Sequence, residues 1–296
     1  MRVIWWQDTI VLILITPEEG ATEESALETL DDRYNRGQEM RRLLAGGNPS
    51  HYSLPGIDQL APDLKRIVDE ALWGSVWTRT GLDPERRSMC TVAALTALGQ
   101  MPLLRRNIER ALNLGVTPDQ VVEVVMQMLF LVGIPSVESA MKLTKDIFEE
   151  QGIEYTPTRA YNTDRTVEEL HQNGLRIYDE QMGEPPLYPV DDPNSLEMEA
   201  QKFIEQYHWG AIHARPGLDA KSRALCSLSA MTVQGQYDRQ IRRLIEGALY
   251  VGATPQEIME VFFQLIFYGS YTNSRTAMRV ARSVFVEKGY TSDESG

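Results

Sequence analysis

The side chains in this sequence that are equipped for chemistry come in repeated sets. Arg79 and Arg87 recur as Arg215 and Arg223, and Glu123 recurs as Glu260. A guanidinium fork matches a carboxylate with two parallel hydrogen bonds, so each arginine is suited either to an anionic substrate or to a neighbouring acid. Arg79 follows the Trp-Gly turn, where holding that turn is a further role open to it. The two glutamates interrupt otherwise apolar strings. Each is therefore either paired with a cation or raised in pKa and usable as an acid. His208 and His213 flank Trp209. Five residues is a poor spacing for sharing one face of an α-helix, which argues against metal ligation. For His213 an ordinary polar contact and a proton-moving role both stay open. Trp73, Trp77, Trp209, Tyr250 and Tyr268 are candidates to wall a planar substrate, or to fill core and interface.

What positions these residues is a duplicated segment. Trp73 to Gln100 and Trp209 to Gln236 align without a gap, with 12 of 28 positions identical. Any site should therefore be sought once per copy. The two cysteines of the chain, Cys90 and Cys226, are equivalent positions of this repeat, in apolar strings. Duplication explains them better than a disulfide framework does, and they fit a reducing cytoplasm as small buried hydrophobes. Thiol exchange needs an attacking and a resolving thiol within bonding distance, and these lie one per copy.

A chain of 296 residues has room for two domains of ordinary size. Its formal charge of −13 disfavours a nucleic-acid partner, which requires clustered Lys and Arg. The apolar run Ile10 to Ile15 is too short to span a bilayer, which takes ~20 residues, and no small-residue cleavage site follows it. Residues 1–22 are read as a docked arm, 23–154 as the first repeat, 155–163 as a linker and 164–296 as the second repeat. Neither a membrane nor a nucleic acid is expected as a partner.

Helices are expected over Glu23 to Leu44, Ile57 to Trp77, Pro84 to Leu98, Pro102 to Leu114, Val121 to Val132 and Ser136 to Gln151. In the second copy they are expected over Val167 to Met182, Leu196 to His213, Ala220 to Gln234, a start at Thr254-Pro255, and Asn273 to Lys288. Asp83 before Pro84, and Thr117-Pro118-Asp119-Gln120, are N-terminal capping signals. Nothing alternates with period two, so the fold class is all-α. Short connections favour antiparallel neighbours. Many helix faces are apolar on more sides than one compact unit can bury, which predicts a homo-oligomer.

The strings WGSVWTRTGLDPERRSMCTVAALTALG, RRNIERALNLGVTPDQVVEVVMQ and VGIPSVESAM, with GALYVGATPQEIMEVFFQ in the second copy, resemble the carboxymuconolactone decarboxylase family. The resemblance covers nearly the whole chain as a tandem pair. It implies an all-helical unit that assembles into rings, and a cofactor-free loss of CO2 from a small unsaturated carboxylate or lactone. Its peroxidase relatives carry Cys-x-x-Cys-x-x-x-His where this chain has Gln100, Leu103 and Asn107. The decarboxylase relatives also have His at the position of Asn107.

Asn cannot titrate, but its amide can bond a carbonyl or enolate oxygen. His213, which replaces Trp77, would supply an imidazole in the second copy. The expectation is one working pocket per chain or one composite pocket between the copies, placed nearer the first copy. There Arg87 holds a carboxylate, Asn107 bonds the carbonyl and Glu123 moves the proton. Arg79, Trp77, Trp73 and Arg223 are candidate substrate contacts. No metal and no cofactor are expected. The competing reading is a ring-forming binding or scaffold protein that kept the fold without the chemistry.

Overall fold

The computed structural model describes residues 27–47, 56–183, 192, 195–235 and 238–290, with the backbone of 5–6 and 9–10. The described chain is all-α, apart from a two-residue antiparallel ladder pairing Trp5–Trp6 with Thr9–Ile10. The remainder of the N-terminal arm, the loop up to Pro55, most of the Pro-rich loop after Gly183 and the tail from Thr291 lie outside the described residues.

The first repeat consists of α1 (Leu30–Leu44), α2 (Pro62–Val68), α3 (Pro84–Ala97), α4 (Met101–Asn113), α5 (Pro118–Gln127) and α6 (Ile134–Glu150). The second repeats the order as α7 (Val167–Met182), α8 (Leu196–Ile204), α9 (Ala220–Gln234), α10 (Asp238–Tyr250), α11 (Pro255–Tyr268) and α12 (Tyr271–Glu287). The caps are those the sequence signals. Asp83 accepts the Arg86 amide at 2.8 Å, and Asp219 accepts the Ser222 amide at 3.0 Å. Thr117 with Gln120, and Thr254 with Glu257, form capping boxes that satisfy otherwise orphaned donors.

Several features depart from the sequence expectation. The first helix starts at Leu30, capped by Thr29, and not at Glu23. The helix from Ile57 is interrupted at Ala61, and the helix expected to run to Val132 breaks after Gln127. The helices expected over Ile57 to Trp77 and Leu196 to His213 do not stay α-helical. α2 and α8 run directly into π-helical stretches, Asp69–Val76 and Glu205–His213. The amide of Trp77 donates to the Leu72 carbonyl at 3.0 Å, and that of Ala214 to the Trp209 carbonyl at 3.1 Å, each five residues back. Each π-stretch crosses the first helix of its repeat at backbone contact. A Cβ added to Gly74 would lie 2.0 Å from the Arg33 carbonyl oxygen, and one on Gly210 would lie 2.5 Å from that of Leu170. That contact is the reason for the repeated Trp-Gly pair, since only a residue without Cβ fits there.

The two copies do not fold as separate bodies. Helices α3 and α9 lie side by side with equivalent residues facing one another. Arg86 Nε donates to Ser222 Oγ at 3.2 Å, and Ser229 Oγ donates to the Cys90 carbonyl at 2.7 Å. The free, buried thiols of Cys90 and Cys226 meet across this seam. The hydrogen bond with Cys90, then burial, push the Cys226 thiol well above its ordinary range. A single apolar core spans both repeats. Fully buried side chains at the seam, such as Leu95, Leu225 and Leu228, each contribute ~1.5–3 kcal/mol relative to exposure. Part of the apolar surplus that predicts an oligomer is therefore buried by the internal duplication. Among the described residues, no helix is long and apolar enough to cross a membrane.

Candidate functional site

The local two-fold relation between the repeats decides where the charged residues meet. Each arginine pair finds its glutamate on the other repeat. In the first cluster Arg79 Nε donates to Glu260 Oε1 at 2.7 Å, and Arg87 Nη2 donates to Glu260 Oε2 at 2.9 Å. Gln264 Nε2 donates to the Arg87 carbonyl at 3.2 Å, and Gln264 Oε1 accepts from Arg87 Nη1 at 3.4 Å. The second cluster repeats this in mirror order. Arg215 Nε donates to Glu123 Oε1 at 2.9 Å, and Arg223 Nη2 donates to Glu123 Oε2 at 2.8 Å, with Gln127 in the place of Gln264. The turn glycines press on these carboxylates: Gly217, at φ +94°, would carry a Cβ 3.2 Å from Glu123 Cγ.

This arrangement corrects the grouping expected from sequence. Arg87 and Glu123 do not share a cluster. Arg87 belongs with Glu260, whereas Glu123 belongs with Arg215 and Arg223. The reason is the side-by-side packing of α3 and α9, which sets each arginine against the other copy's glutamate. Asn107, on α4, is buried and donates through Nδ2 to the Leu103 carbonyl at 2.8 Å. Its Oδ1, an acceptor, is buried without a partner, and Nδ2 carries a second hydrogen beyond the one given to Leu103. Tyr250 is 58% exposed and walls nothing.

The two clusters differ in what surrounds the inner arginine. Beside the first, Trp77 Nε1 donates to the Tyr268 hydroxyl at 3.0 Å, and the Arg110 guanidinium lies 4.6 Å from the centre of the Trp73 ring. Burial raises the Tyr268 phenol, against the pull of Arg110, the Trp77 bond and Arg87. The buried polar atoms without a partner here are Trp73 Nε1, Arg87 Nε, Ser88 Oγ and Asn107 Oδ1. None of these residues titrates near neutrality.

Beside the second cluster stand two imidazoles. The π-helix brings His208 and His213 together, their ring centres 4.4 Å apart, because a five-residue spacing shares one face of an i→i+5 helix. The α-helical spacing argument therefore fails for this pair. Trp209 lies 4.5 Å from His213, and Phe130 from the first repeat lies 5.6 Å from His208. Burial, then Arg223, lower His208 to about 4. Burial, His208 and Arg223 hold His213 well below its ordinary value, so both rings are neutral at pH 7.

The tautomer of His213 follows from its neighbour. Gln181 Nε2 faces the His213 carbonyl at 3.4 Å, which leaves Gln181 Oε1 as acceptor, 2.8 Å from His213 Nδ1. Nδ1 therefore carries the proton, and the Nε2 lone pair is bare. His213 Nε2, His208 Nδ1, Arg223 Nε and Ser227 Oγ are all buried without a partner. Ser227 follows Arg223 by one turn on α9. Among the described residues no three His, Cys, Asp or Glu side chains gather as metal ligands.

Sequence reasoning missed the contact between His208 and His213 and the cross-copy pairing of glutamates with arginines. The only sequence signal for the pair was the five-residue interval, which carries meaning once the helix is known to be π. Comparison with known proteins bears on the same segments. The model of the carboxymuconolactone decarboxylase family matches residues 62–146 and again 198–283. A 4-carboxymuconolactone decarboxylase of Acinetobacter baylyi is 32% identical over 123 residues, covering 42% of this chain and 92% of that protein. An uncharacterised 15.0 kDa protein of Paracoccus denitrificans is 30% identical over 39% of this chain and 87% of its own length. A nitrosuccinic acid decarboxylase of Metarhizium robertsii is 28% identical over 38% of this chain and 78% of its own length. The chain belongs to the carboxymuconolactone decarboxylase family, as two family units in tandem.

Proposed function

We propose that the protein is a cofactor-free carbon–carbon lyase of the decarboxylase type, or an isomerase, acting on a small unsaturated carboxylate or lactone at the second cluster. The observation that carries this reading is the convergence there of two guanidiniums, a carboxylate and an imidazole with a bare lone pair. Two of the relatives are named decarboxylases, which supports the reaction class.

The roles follow from the geometry. Glu123 spends both oxygens on guanidiniums, so its part is to fix Arg215 and Arg223 for an incoming carboxylate. In the lyase reaction the carbon–carbon bond to the departing carboxylate breaks and CO2 leaves. The electron pair passes into the conjugated carbonyl, whose developing negative charge an arginine stabilises. A proton then adds at carbon. His213 relays that proton: its bare Nε2 first takes one from solvent and then gives it to the carbon, while Glu123 is occupied. Burial is the main cause that keeps His213 neutral; a bound anion beside Arg223 offsets the smaller contribution of that arginine, so the imidazole gains some basicity when substrate arrives. In a proton-shift reaction His213 takes the proton from one carbon and returns it to another.

The first cluster pairs Arg79 and Arg87 with Glu260 and has no titratable neighbour near neutrality among the described residues, which supports a structural role. That half favours the scaffold reading for its own surroundings only. The test is a panel of lactones and muconate-type acids, followed by loss of ultraviolet absorbance and by CO2 release. Consumption with CO2 supports the lyase, and consumption without CO2 supports the isomerase. No consumption of any member contradicts the enzyme reading.

A further inference from the structure

A groove of about 550 Å³ opens along the first repeat. Its floor is Val122 and Met126 of α5 with Met141, Thr144 and Phe148 of α6. Its roof is the segment linking the repeats, and that roof is pinned. Tyr155 donates to Asp119 Oδ1 at 3.0 Å, Thr158 Oγ1 donates to the same carboxylate, and Arg215 Nη2 donates to the Thr158 carbonyl at 2.9 Å. Volume and lining are those of a small-molecule site: mostly apolar walls with a few placed polar groups.

Charge identifies what the groove takes. Lys145 and Glu149 pair with each other at the exposed edge and cancel. Arg215 also lines the groove, with its side chain 9% exposed. Its Nε is engaged by Glu123 and its Nη2 by Thr158, while Nη1 has no partner among the described residues. At that end Arg215 and Arg223 are balanced by Glu123 and by Asp119, so the open donor is the unpartnered Nη1 of Arg215. On the far side of the linker Arg215 also borders a small polar pocket with Arg165 and with Arg176, whose charge is paired with Glu180.

We propose that this linker-roofed groove binds a monocarboxylate with an apolar body, the carboxylate on Arg215 and the body among Met126, Met141 and Phe148. Arg215 belongs at once to the groove and to the Glu123 cluster, so the groove is where a substrate of that cluster would lodge its apolar part. This last step rests on the lyase reading, but the binding itself does not. The groove needs the linker as roof and both repeats as walls, which makes it a property of the tandem chain.

The experiment uses the full-length protein and three probes of one chain length: octanoate, octanol and octylamine. Affinities come from calorimetry. Placement comes from the methyl resonances of Met126 and Met141. Octanoate should shift both methyls and bind about tenfold more tightly than octanol, as one charge-assisted contact allows, with octylamine weaker still. Met126→Trp, with Met141→Trp as a second filler, should weaken octanoate about tenfold or more by occupying the groove. Arg215→Gln should bring octanoate to within about twofold of octanol; Arg215→Lys should retain the preference.

Near-ultraviolet circular dichroism confirms each variant's fold. Three results overturn the proposal: no methyl shift at millimolar octanoate, equal binding of all three probes, or a drop in particle mass on Met126→Trp. The last would assign the groove to a second copy of this chain. Because no turnover is measured, binding of octanoate by a protein inert toward every lactone would leave this inference standing while removing the lyase reading.

Discussion

Lowering the pH should cost this protein stability through His208, and the amount can be worked out. Burial and the nearby Arg223 hold the folded-state pKa of His208 at about 4, against 6.5 for the ordinary group. Between those values the unfolded chain binds a proton that the folded chain refuses, so stability rises with pH across that window. The contribution is complete above pH 6.5 and is lost as the pH falls toward 4. At pH 5 the linkage expression gives a loss of about 2 kcal/mol from His208 alone. His213, also held low by burial, adds to the loss in the same direction. Urea unfolding at pH 7 and pH 5 measures it, with His208→Gln as the reference. The variant keeps a polar side chain but does not titrate. Its own stability offset cancels, because only the change between the two pH values is compared. The unaltered protein should lose about 2 kcal/mol more than the variant. Equal losses would refute the claim that a neutral imidazole is buried beside Arg223, and with it the charge logic of the site.

Replacing Cys90 and Cys226 together by Ala should cost roughly 1–3 kcal/mol of packing and leave turnover intact. Peroxide reduction that vanishes in this double variant would contradict the structural reading of the paired thiols. Light scattering of the full-length chain should show an oligomer of the 33.6 kDa polypeptide. A monomer at micromolar concentration would mean that the seam between the repeats already satisfies the apolar faces that predict assembly.

The sequence makes the helical order legible because its punctuation is local. Thr117-Pro118 and Thr254-Pro255 open helices, Asp83 and Asp219 cap them, and the structure places each as those signals require. The repeat is legible for the same reason, as is the pairing of buried glutamates with arginines. What sequence reading could not supply is which glutamate meets which arginine. Arg87 and Glu123 lie in the same copy and look like partners, yet the side-by-side packing of α3 and α9 hands each to the other copy's counterpart. The histidine pair was hidden by a period. On a 3.6-residue helix His208 and His213 diverge, whereas on the π-stretch they touch. Nothing in the residues from Glu205 to His213 announces the wider helix. The glycines that admit its neighbour, Gly174 and Gly210, are visible only as a pair once the crossing is known.

The central claim is that the chemistry belongs to the second cluster and that His213 moves the proton there. It is tested most directly by steady-state turnover of His213→Gln, on whichever lactone or unsaturated acid the unaltered protein consumes. Trp77→Phe, at the equivalent position of the first cluster, serves as control. The account predicts that His213→Gln loses about a hundredfold or more in kcat with KM little changed, as removal of a general acid–base group does. Trp77→Phe should stay near full rate. Full turnover by a folded His213→Gln protein, together with its loss in Arg87→Gln, would place the reaction at the first cluster and contradict the account.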